Sequence, residues 1–530
     1  MLKKSSILTI AFLEGFCVIL IELASGRIVA PIFGTALQVW AGVLGITLLG
    51  LASGYFLGSR LNFRNNITLI YLIGSAAIYV AAFTFFSEPI LVYLSNLNYE
   101  LGLFLSLIAS LFVPLTLLGA VSPFLSDQLS NINGQAGRAT GLVFSVSTFG
   151  GIAGAFVAGF YLIPQLGILN SMYIAAIILT IIVGLIMLLQ TKKFNAISVI
   201  SSSALLIACF TQLSFAANEI QYKGLQLKYE NESMLSQIRV MDLPTQQKNG
   251  DHVTFRMMMV NNTLQAIVDA NNPSIDYLQF SRLMDPIISS YFNNKKILIL
   301  GLGGGVIANK FIKEGCEVDV VEIDSRVEDL ARKFFGLSNR VNVIIEDARR
   351  FVKHSDKKYD LIFIDTFHGE SIPSHIFTKE ALIEMKLLLR NDGILISNFH
   401  GFTDSKRGQG TAAVYKTLKS VGFESKLLVS NTNADEMRSL LFFSSLNSLS
   451  HYASMDQMEV KNLTYASGLD GTMDQFTVNP SILSIDDAVV LTDDKQQLDY
   501  LLKEVSLEWR KYCYDHFVSM NNQVHMPLIR

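Results

Sequence analysis

Long apolar runs dominate the first 215 residues, and short alternating ones the rest. An apolar stretch of about 20 residues can cross a bilayer as a helix. The pattern predicts seven such spans, roughly 7–24, 39–58, 67–86, 101–121, 140–163, 169–190 and 195–214. Small residues recur within them, as at Gly50, Gly54 and Gly58 and at Gly150, Gly151, Gly154 and Gly159, and such spacing lets helix backbones pack closely. From residue 218 the period shortens to two. Leu235–Met241 and Arg256–Val260 read as strands joined by a turn at Lys248–Asp251, the start of a small antiparallel sheet. Pro273–Tyr291 reads as a helix with Tyr277, Phe280, Met284 and Ile287 on one face, with Pro286 placed to kink or split it.

At Lys296 the pattern changes again. Lys296–Gly301 is a continuous apolar run, as expected of a strand buried on both faces. A glycine loop (Gly301, Gly303, Gly304, Gly305) and a helix over Val306–Glu314 follow. Strands are predicted at Glu317–Ile323, Val341–Ile345, Tyr359–Ile364 and Gly393–Ser397, with a helix over Arg326–Phe335. Alternating strands and helices imply right-handed crossovers and a parallel, doubly wound, Rossmann-like α/β sheet.

Charge divides the chain at the same place. Residues 1–215 hold eight of the 42 Lys/Arg and five of the 45 Asp/Glu, and the remainder has the charge density of an ordinary soluble domain. A single soluble enzyme is excluded, and so is a bare transporter with a short tail. The near-neutral net charge of −3 argues against nucleic acid as a partner, which would require a basic face. Four scattered cysteines without a CxxC pair suggest neither a zinc site nor a disulfide framework.

The first predicted span carries Glu14 and Glu22, with Arg27 just beyond. Ionisable groups at membrane depth are costly and are usually paired or functional. An ion pair of Glu22 with Arg27 or Arg60 that fixes packing, and a polar site inside the bundle, are both open. Lys3, Lys4, Arg60, Arg64, Arg138, Lys192 and Lys193 fall on one side of a seven-span arrangement, and only Arg27 on the other. That side is expected to be cytoplasmic, with the N-terminus. An odd number of spans places the C-terminal domain outside the cytoplasm. If the serine-rich segment 195–214 does not cross, the domain returns to the cytoplasm.

Ligands of such sheets bind beyond the carboxyl ends of the strands. Glu322 ends the second strand about 20 residues after the glycine loop, where an acid accepts ribose hydroxyl hydrogens. Asp347 ends the third strand, where it suits an adenine amino group, and Asp365 ends the fourth. Together they point to an adenosyl ligand. The loop reads Gly301-Leu-Gly-Gly-Gly-Val-Ile-Ala, which lacks the G-x-G-x-x-G spacing of a dinucleotide site. S-adenosylmethionine or a relative fits better than NAD. His368 and His400 follow strands four and five and should face that ligand. A metal site built on His368, His375 and His400 has no tight spacing behind it, so no metal is expected.

These residues resemble the spermidine synthases, the polyamine aminopropyltransferases, over roughly residues 225–400. Ser236-Gln237-Ile238 is similar to the family's Tyr-Gln segment, whose glutamine touches the cofactor. Asn262–Gln265 is similar to its Asp-Gly-x-x-Gln turn, and Asp276-Tyr277 lies where the family has an acid and a Tyr-His pair. Val321–Asp324 and Glu346-Asp347-Ala348 match well. The whole chain resembles the membrane-fused subgroup, with Glu22 and Arg27 in the first helix, a gate loop at Asp365–Pro373 and a C-terminal motif at Leu491–Asp494. Two departures remove negative charge that would hold a polyamine. Gly304 stands where soluble members have an Asp, and His368 stands where they have the Asp that deprotonates the attacking amine.

The resulting expectation is a multi-pass helical membrane domain (1–215), a small β subdomain (216–285), a Rossmann-like domain of the methyltransferase type (286–450) and a C-terminal α/β extension (451–530). The resemblance implies a membrane-bound aminopropyltransferase-like enzyme that uses S-adenosylmethionine or its decarboxylated form and releases methylthioadenosine. Cofactor contacts are expected from Gln237, Gly301, Gly303, Gly304, Glu322, Asp324, Asp347, Ala348 and Asp365. Catalytic roles fall to His368, Asp365 and Glu370, and acceptor contacts to Gln265, Tyr277 and His400. The expected partners are a small amine or related acceptor, the lipid bilayer and a second copy of the chain. Methyl transfer, or a non-enzymatic transporter or sensor of polyamine-like or S-adenosylmethionine-like solutes, are the alternatives.

Overall fold

The computed structural model describes residues 2–34, 37–60, 66–189, 225–233, 235–246, 252–367, 369, 372–404, 406–433, 436–461 and 470–513. The chain forms two compact units, a helical one and an α/β one.

Among the described residues, six helices are long and apolar enough to cross a membrane: Lys4–Phe33, Gln38–Gly58, Asn66–Ser95, Tyr99–Ile132, Ala136–Leu166 and Ile168–Leu188. The seventh expected span, 195–214, lies outside the described residues. Widened π-helical turns interrupt two of the helices, at Ile108–Phe112 and Ala158–Leu162. Each is followed closely by a proline, Pro114 or Pro164, whose missing N–H and ring crowd a regular turn. Small residues set the packing. A Cβ placed on Gly15 would lie 2.0 Å from the Ser147 carbonyl oxygen, and one on Gly150 only 1.9 Å from that of Phe12. Thus Lys4–Phe33 and Ala136–Val157 touch backbone to backbone. Glu14 is buried and accepts a hydrogen bond from Ser147 Oγ at 3.0 Å, and Glu22 is buried beside Thr47. Among the described residues neither glutamate forms an ion pair, and Arg60 instead stacks 4.0 Å over the Phe56 ring.

The α/β unit begins with an antiparallel sheet of β1 (Gln226–Glu232), β2 (Gln237–Gln246), β3 (His252–Val260) and β4 (Thr263–Asp269) in that order. The turn expected at Lys248–Asp251 lies outside the described residues. Asn261 and Asn262 join β3 to β4 with φ of 49° and 64°. Asparagine tolerates this left-handed pair, which matches the twist of a two-residue hairpin. The helix after the sheet starts later than expected, at Gln279, and runs through Pro286 to Tyr291.

The main sheet contains β5 (Lys296–Leu300), β6 (Glu317–Glu322), β7 (Asn342–Ile345), β8 (Tyr359–Ile364), β9 (Leu389–Gly401), β10 (Glu424–Val429) and β11 (Arg438–Ser445). Its order is Thr477–Val478, β10, β11, β9, β8, β5, β6, β7. The five strands from β9 to β7 are parallel, as the alternating pattern predicts. The rest of the sheet corrects that expectation. β11 runs antiparallel to β9, and β10 antiparallel to β11, because no crossover helix separates β10 from β11. Thr477–Val478 pairs with β10, so the sheet continues past residue 450. The core is aliphatic and aromatic on both faces, with Ile297, Ile299, Leu361, Phe363, Phe399 and Phe442 fully buried. These strands read as near-continuous apolar runs for that reason.

Candidate active site

The chain reverses its direction of travel across the sheet between β5 and β8, and open α/β sheets bind ligands at such a switch point. Gly301 closes β5 with φ of 97°, and a Cβ there would lie 2.2 Å from the Asp365 carbonyl oxygen. Only glycine fits both constraints. Gly303 and Gly305, also at positive φ, turn the chain into the helix Val306–Lys313.

Glu322, at the end of β6, braces this loop. Its Oε2 accepts the Leu302 N–H at 3.1 Å and its Oε1 accepts the Asp324 N–H at 3.0 Å. Each oxygen retains a second lone pair, so the same carboxylate can accept two hydroxyl hydrogens. Burial pushes this carboxyl above the ordinary range, against the lowering effect of its amide bonds. Ile323 is 50% exposed and Ile345 46%. Ile345 lies in register with Glu322. Apolar side chains left half in water at this edge suit a flat heteroaromatic ring. Asp347 caps the helix Ala348–His354 by accepting the Arg350 N–H at 2.9 Å, and its other oxygen is 3.8 Å from His375 Nε2. Ala348 is the buried first residue of that helix.

Asp365 continues from β8, and its N–H donates to the Leu300 carbonyl at 2.8 Å. Its Oδ1 accepts Asn398 Nδ2 at 2.9 Å, and burial pushes its carboxyl up to about 6. Asn398 and His400 lie two apart on β9 and so share a face. His400 is buried between Phe367 (ring centroids 4.8 Å apart) and Trp509 (4.6 Å). Burial lowers it to about 4, and among the described residues its Nδ1 has no hydrogen-bond partner. Gln265 Nε2 donates to the Gly369 carbonyl at 3.0 Å. The buried Gln237 donates its amide N–H to Asn261 Oδ1 at 3.1 Å.

The fold thus gathers the glycine loop, Glu322, Asp347, Asp365, Gln265 and His400 along the carboxyl edge of the parallel strands. Two expected residues also have partners within the fold. Asp324 is committed to Arg326 (2.6 Å) and to capping the helix Ser325–Phe334. Tyr277 packs edge-on against Phe255 with ring centroids 4.7 Å apart. Its neighbour Asp276 is buried against Lys310 at 3.0 Å and Arg282 at 3.3 Å. His368 and Glu370 lie outside the described residues. At Gly304 a Cβ would sit 2.7 Å from Ala266 Cβ, so the space for an acid is filled. Among the described residues no group of His, Cys, Asp and Glu is arranged to hold a metal.

Sequence reasoning missed Asn398, the two isoleucines and Trp509. The alternation of β9 signals Asn398 once the strand is extended to Gly401. Nothing local signals Trp509, which reaches the site from the distant helix Lys503–Cys513. The C-terminal motif also acquires a place. Asp493 accepts Arg349 Nη2 at 3.0 Å and Thr378 Oγ1 at 2.6 Å, and Arg349 Nη1 donates to the His375 carbonyl at 2.7 Å. This ties the motif to the helix capped by Asp347.

Residues 281–421 match the family described as spermine/spermidine synthase domain. The polyamine aminopropyltransferase of Vibrio vulnificus is 38% identical over 136 residues, which are 24% of this chain and 45% of that enzyme. An N-terminal histidine N-methyltransferase of Emericella nidulans is 36% identical over 129 residues, 23% of each protein. Both matches therefore span less than half of those proteins' own length. Polyamine aminopropyltransferase 2 of Aquifex aeolicus is 24% identical over 437 residues, 79% of this chain and 83% of that one. That span is longer than residues 216–530 and so extends into the apolar helices. The spermidine synthase structure from Thermotoga maritima superposes with a TM-score of 0.36 at 17% identity, over 48% of this chain and 86% of that one.

Proposed function

We propose, for a chain that belongs to a spermidine synthase-like family, that it is a membrane-embedded transferase acting on a sulfonium nucleoside, S-adenosylmethionine or its decarboxylated form. The observation that supports this most is the row of acids at three consecutive parallel strand ends, Glu322, Asp347 and Asp365, set around a glycine loop that Glu322 itself braces.

The residues fit such a nucleoside. Glu322 offers two lone pairs to the ribose hydroxyls. Ile323, Ile345 and Asp347 receive the base and its amino group. Gln237 and Gln265 border the arm. When bound, the nucleoside supplies a carbon activated by the adjacent positive sulfur. Asp365 then takes the proton of the incoming nucleophile as the new bond to that carbon forms, while the carbon–sulfur bond breaks with its electron pair passing to sulfur. A carboxyl held near 6 by burial is ionised at neutral pH yet basic enough to accept that proton. Asn398 fixes its orientation. His400 stays neutral and walls the acceptor side with Phe367 and Trp509. We assign His368 and Glu370 a part in handling the acceptor.

Release of methylthioadenosine by the purified full-length protein, given either nucleoside and a range of nucleophiles, is the expected result. Release of S-adenosylhomocysteine instead identifies methyl transfer, the reading favoured by the Emericella match. Release of neither refutes the enzyme. The buried Glu14 and Glu22 favour a second role of the bundle as a carrier of a cationic solute. Loss of uptake on replacing either, with nucleoside affinity intact, tests that role.

A further inference from the structure

The arm side of the site carries unused donors. Arg239 lies two residues after Gln237 on β2, and so on the same face. The residue is 2% exposed. Nε pairs with Glu230 at 2.7 Å and Nη1 with Asn262 Oδ1 at 2.7 Å, but among the described residues Nη2, also buried, has no hydrogen-bond partner. Asn261, next in the turn, is also buried. Its Oδ1 accepts the Gln237 N–H, which fixes the amide's orientation, and its buried Nδ2 has no hydrogen-bond partner among the described residues. A second cation reaches the turn, where Arg510 Nη1 donates to the Asn261 carbonyl at 3.3 Å.

This turn belongs to the site. A Cβ on Gly369 would lie 3.7 Å from Asn261 Nδ2, and one on Gly303 would lie 3.6 Å from the Gln265 carbonyl. Gln265 itself bonds the Gly369 carbonyl. The hairpin, the gate segment and the glycine loop therefore converge. Buried donors without acceptors are costly and mark a missing partner, and a guanidinium beside them favours a carboxylate. Gly304 stands where the family resemblance places an acid that would hold a polyamine, and the space there is filled by Ala266.

On the reading that a sulfonium nucleoside binds here, we infer that its transferred arm carries a carboxylate, received by Arg239 Nη2 and Asn261 Nδ2, so that the site takes S-adenosylmethionine in preference to the decarboxylated form. The arm is thus an aminocarboxypropyl group.

Calorimetry on the full-length protein in detergent, with methylthioadenosine, S-adenosylmethionine and decarboxylated S-adenosylmethionine as probes, tests this. The wild type should retain methylthioadenosine and bind S-adenosylmethionine more tightly than its decarboxylated counterpart. Arg239→Met should weaken S-adenosylmethionine by about 10- to 100-fold, the size of a charge-assisted hydrogen bond, and leave methylthioadenosine within about twofold on that same basis. Asn261→Asp preserves the left-handed turn and the acceptor for the Gln237 N–H, and replaces the free donor by a charged oxygen. It should reverse the preference even if the Arg239 variant does not fold. Retention of methylthioadenosine with a wild-type preference for the decarboxylated form overturns this inference alone. Failure to retain methylthioadenosine overturns the nucleoside site and this inference together.

Discussion

Replacing Glu322 by glutamine changes one oxygen to an NH2 group and leaves the shape almost intact. Both carboxylate oxygens already accept loop amides, from Leu302 and Asp324. The glutamine can satisfy only one of them. The other amide then faces a donor, and an unsatisfied buried donor costs about 1–3 kcal/mol. The ribose loses one charged acceptor at the same time, and a hydrogen bond to a charged group contributes about 1.5–3 kcal/mol. Relief of the buried charge works in the opposite direction on stability, because burial raises this carboxyl, but it does nothing for the ligand. Methylthioadenosine should therefore bind on the order of a hundredfold more weakly to a variant whose thermal unfolding shifts little. The decisive assay repeats the calorimetry with 2′-deoxymethylthioadenosine. If Glu322 holds the ribose, the wild type loses affinity when the hydroxyl is removed and the variant loses little more, since the two changes delete one interaction. Unchanged affinity in Glu322→Gln, or a deoxy penalty that persists there in full, would refute the assignment.

Asp365 should give kcat/KM a rise with pH through an apparent value of about 6, and pH–rate profiles should lose that limb in Asp365→Asn. The sign for stability is the reverse. A carboxyl raised from 3.8 to about 6 by burial favours the protonated fold, so its penalty is absent below about pH 4, grows up to about pH 6 and is full above it. Asp365→Asn should consequently be more stable at pH 7.5 by about 1–3 kcal/mol but no more stable at pH 3.5, as denaturant titrations would show. His400, lowered to about 4 by burial, contributes stability above about pH 6.5 that is lost progressively as pH falls toward 4. His400→Gln should flatten that acid limb in thermal melts. Gly304→Asp, the change that would restore the family's acid, should destabilise by about 1–3 kcal/mol through overpacking against Ala266 and should not yield putrescine-dependent methylthioadenosine release. Pairing it with Ala266→Gly should recover most of the stability.

The parallel half of the main sheet was legible because strands buried on both faces are apolar throughout and end in polar residues. Glu322, Asp347 and Asp365 could be placed on strand ends by counting alone. The antiparallel half was not legible. Phe442 and Phe443 end the apolar run Leu440–Phe443, and direction leaves no mark on such a run. Tertiary partners also escaped notice. Asp324 reads as a ligand contact, and nothing in the sequence shows that Arg326, two residues later, folds back on it. Trp509 and Asp493 enter the site from more than a hundred residues away, with no periodicity that announces them. Arg239 is one polar position in an alternating strand, and the sequence cannot show that one of its nitrogens has no partner among the described residues.

The glycine contacts between the first helix and Ala136–Val157 limit how the apolar bundle can work. With main chain pressed on main chain at Gly15 and Gly150, the two helices cannot slide or rotate past each other without collision. Any cycle of opening to one side and then the other must carry the pair as a single rocking body, with Glu14 and Ser147 riding together inside it.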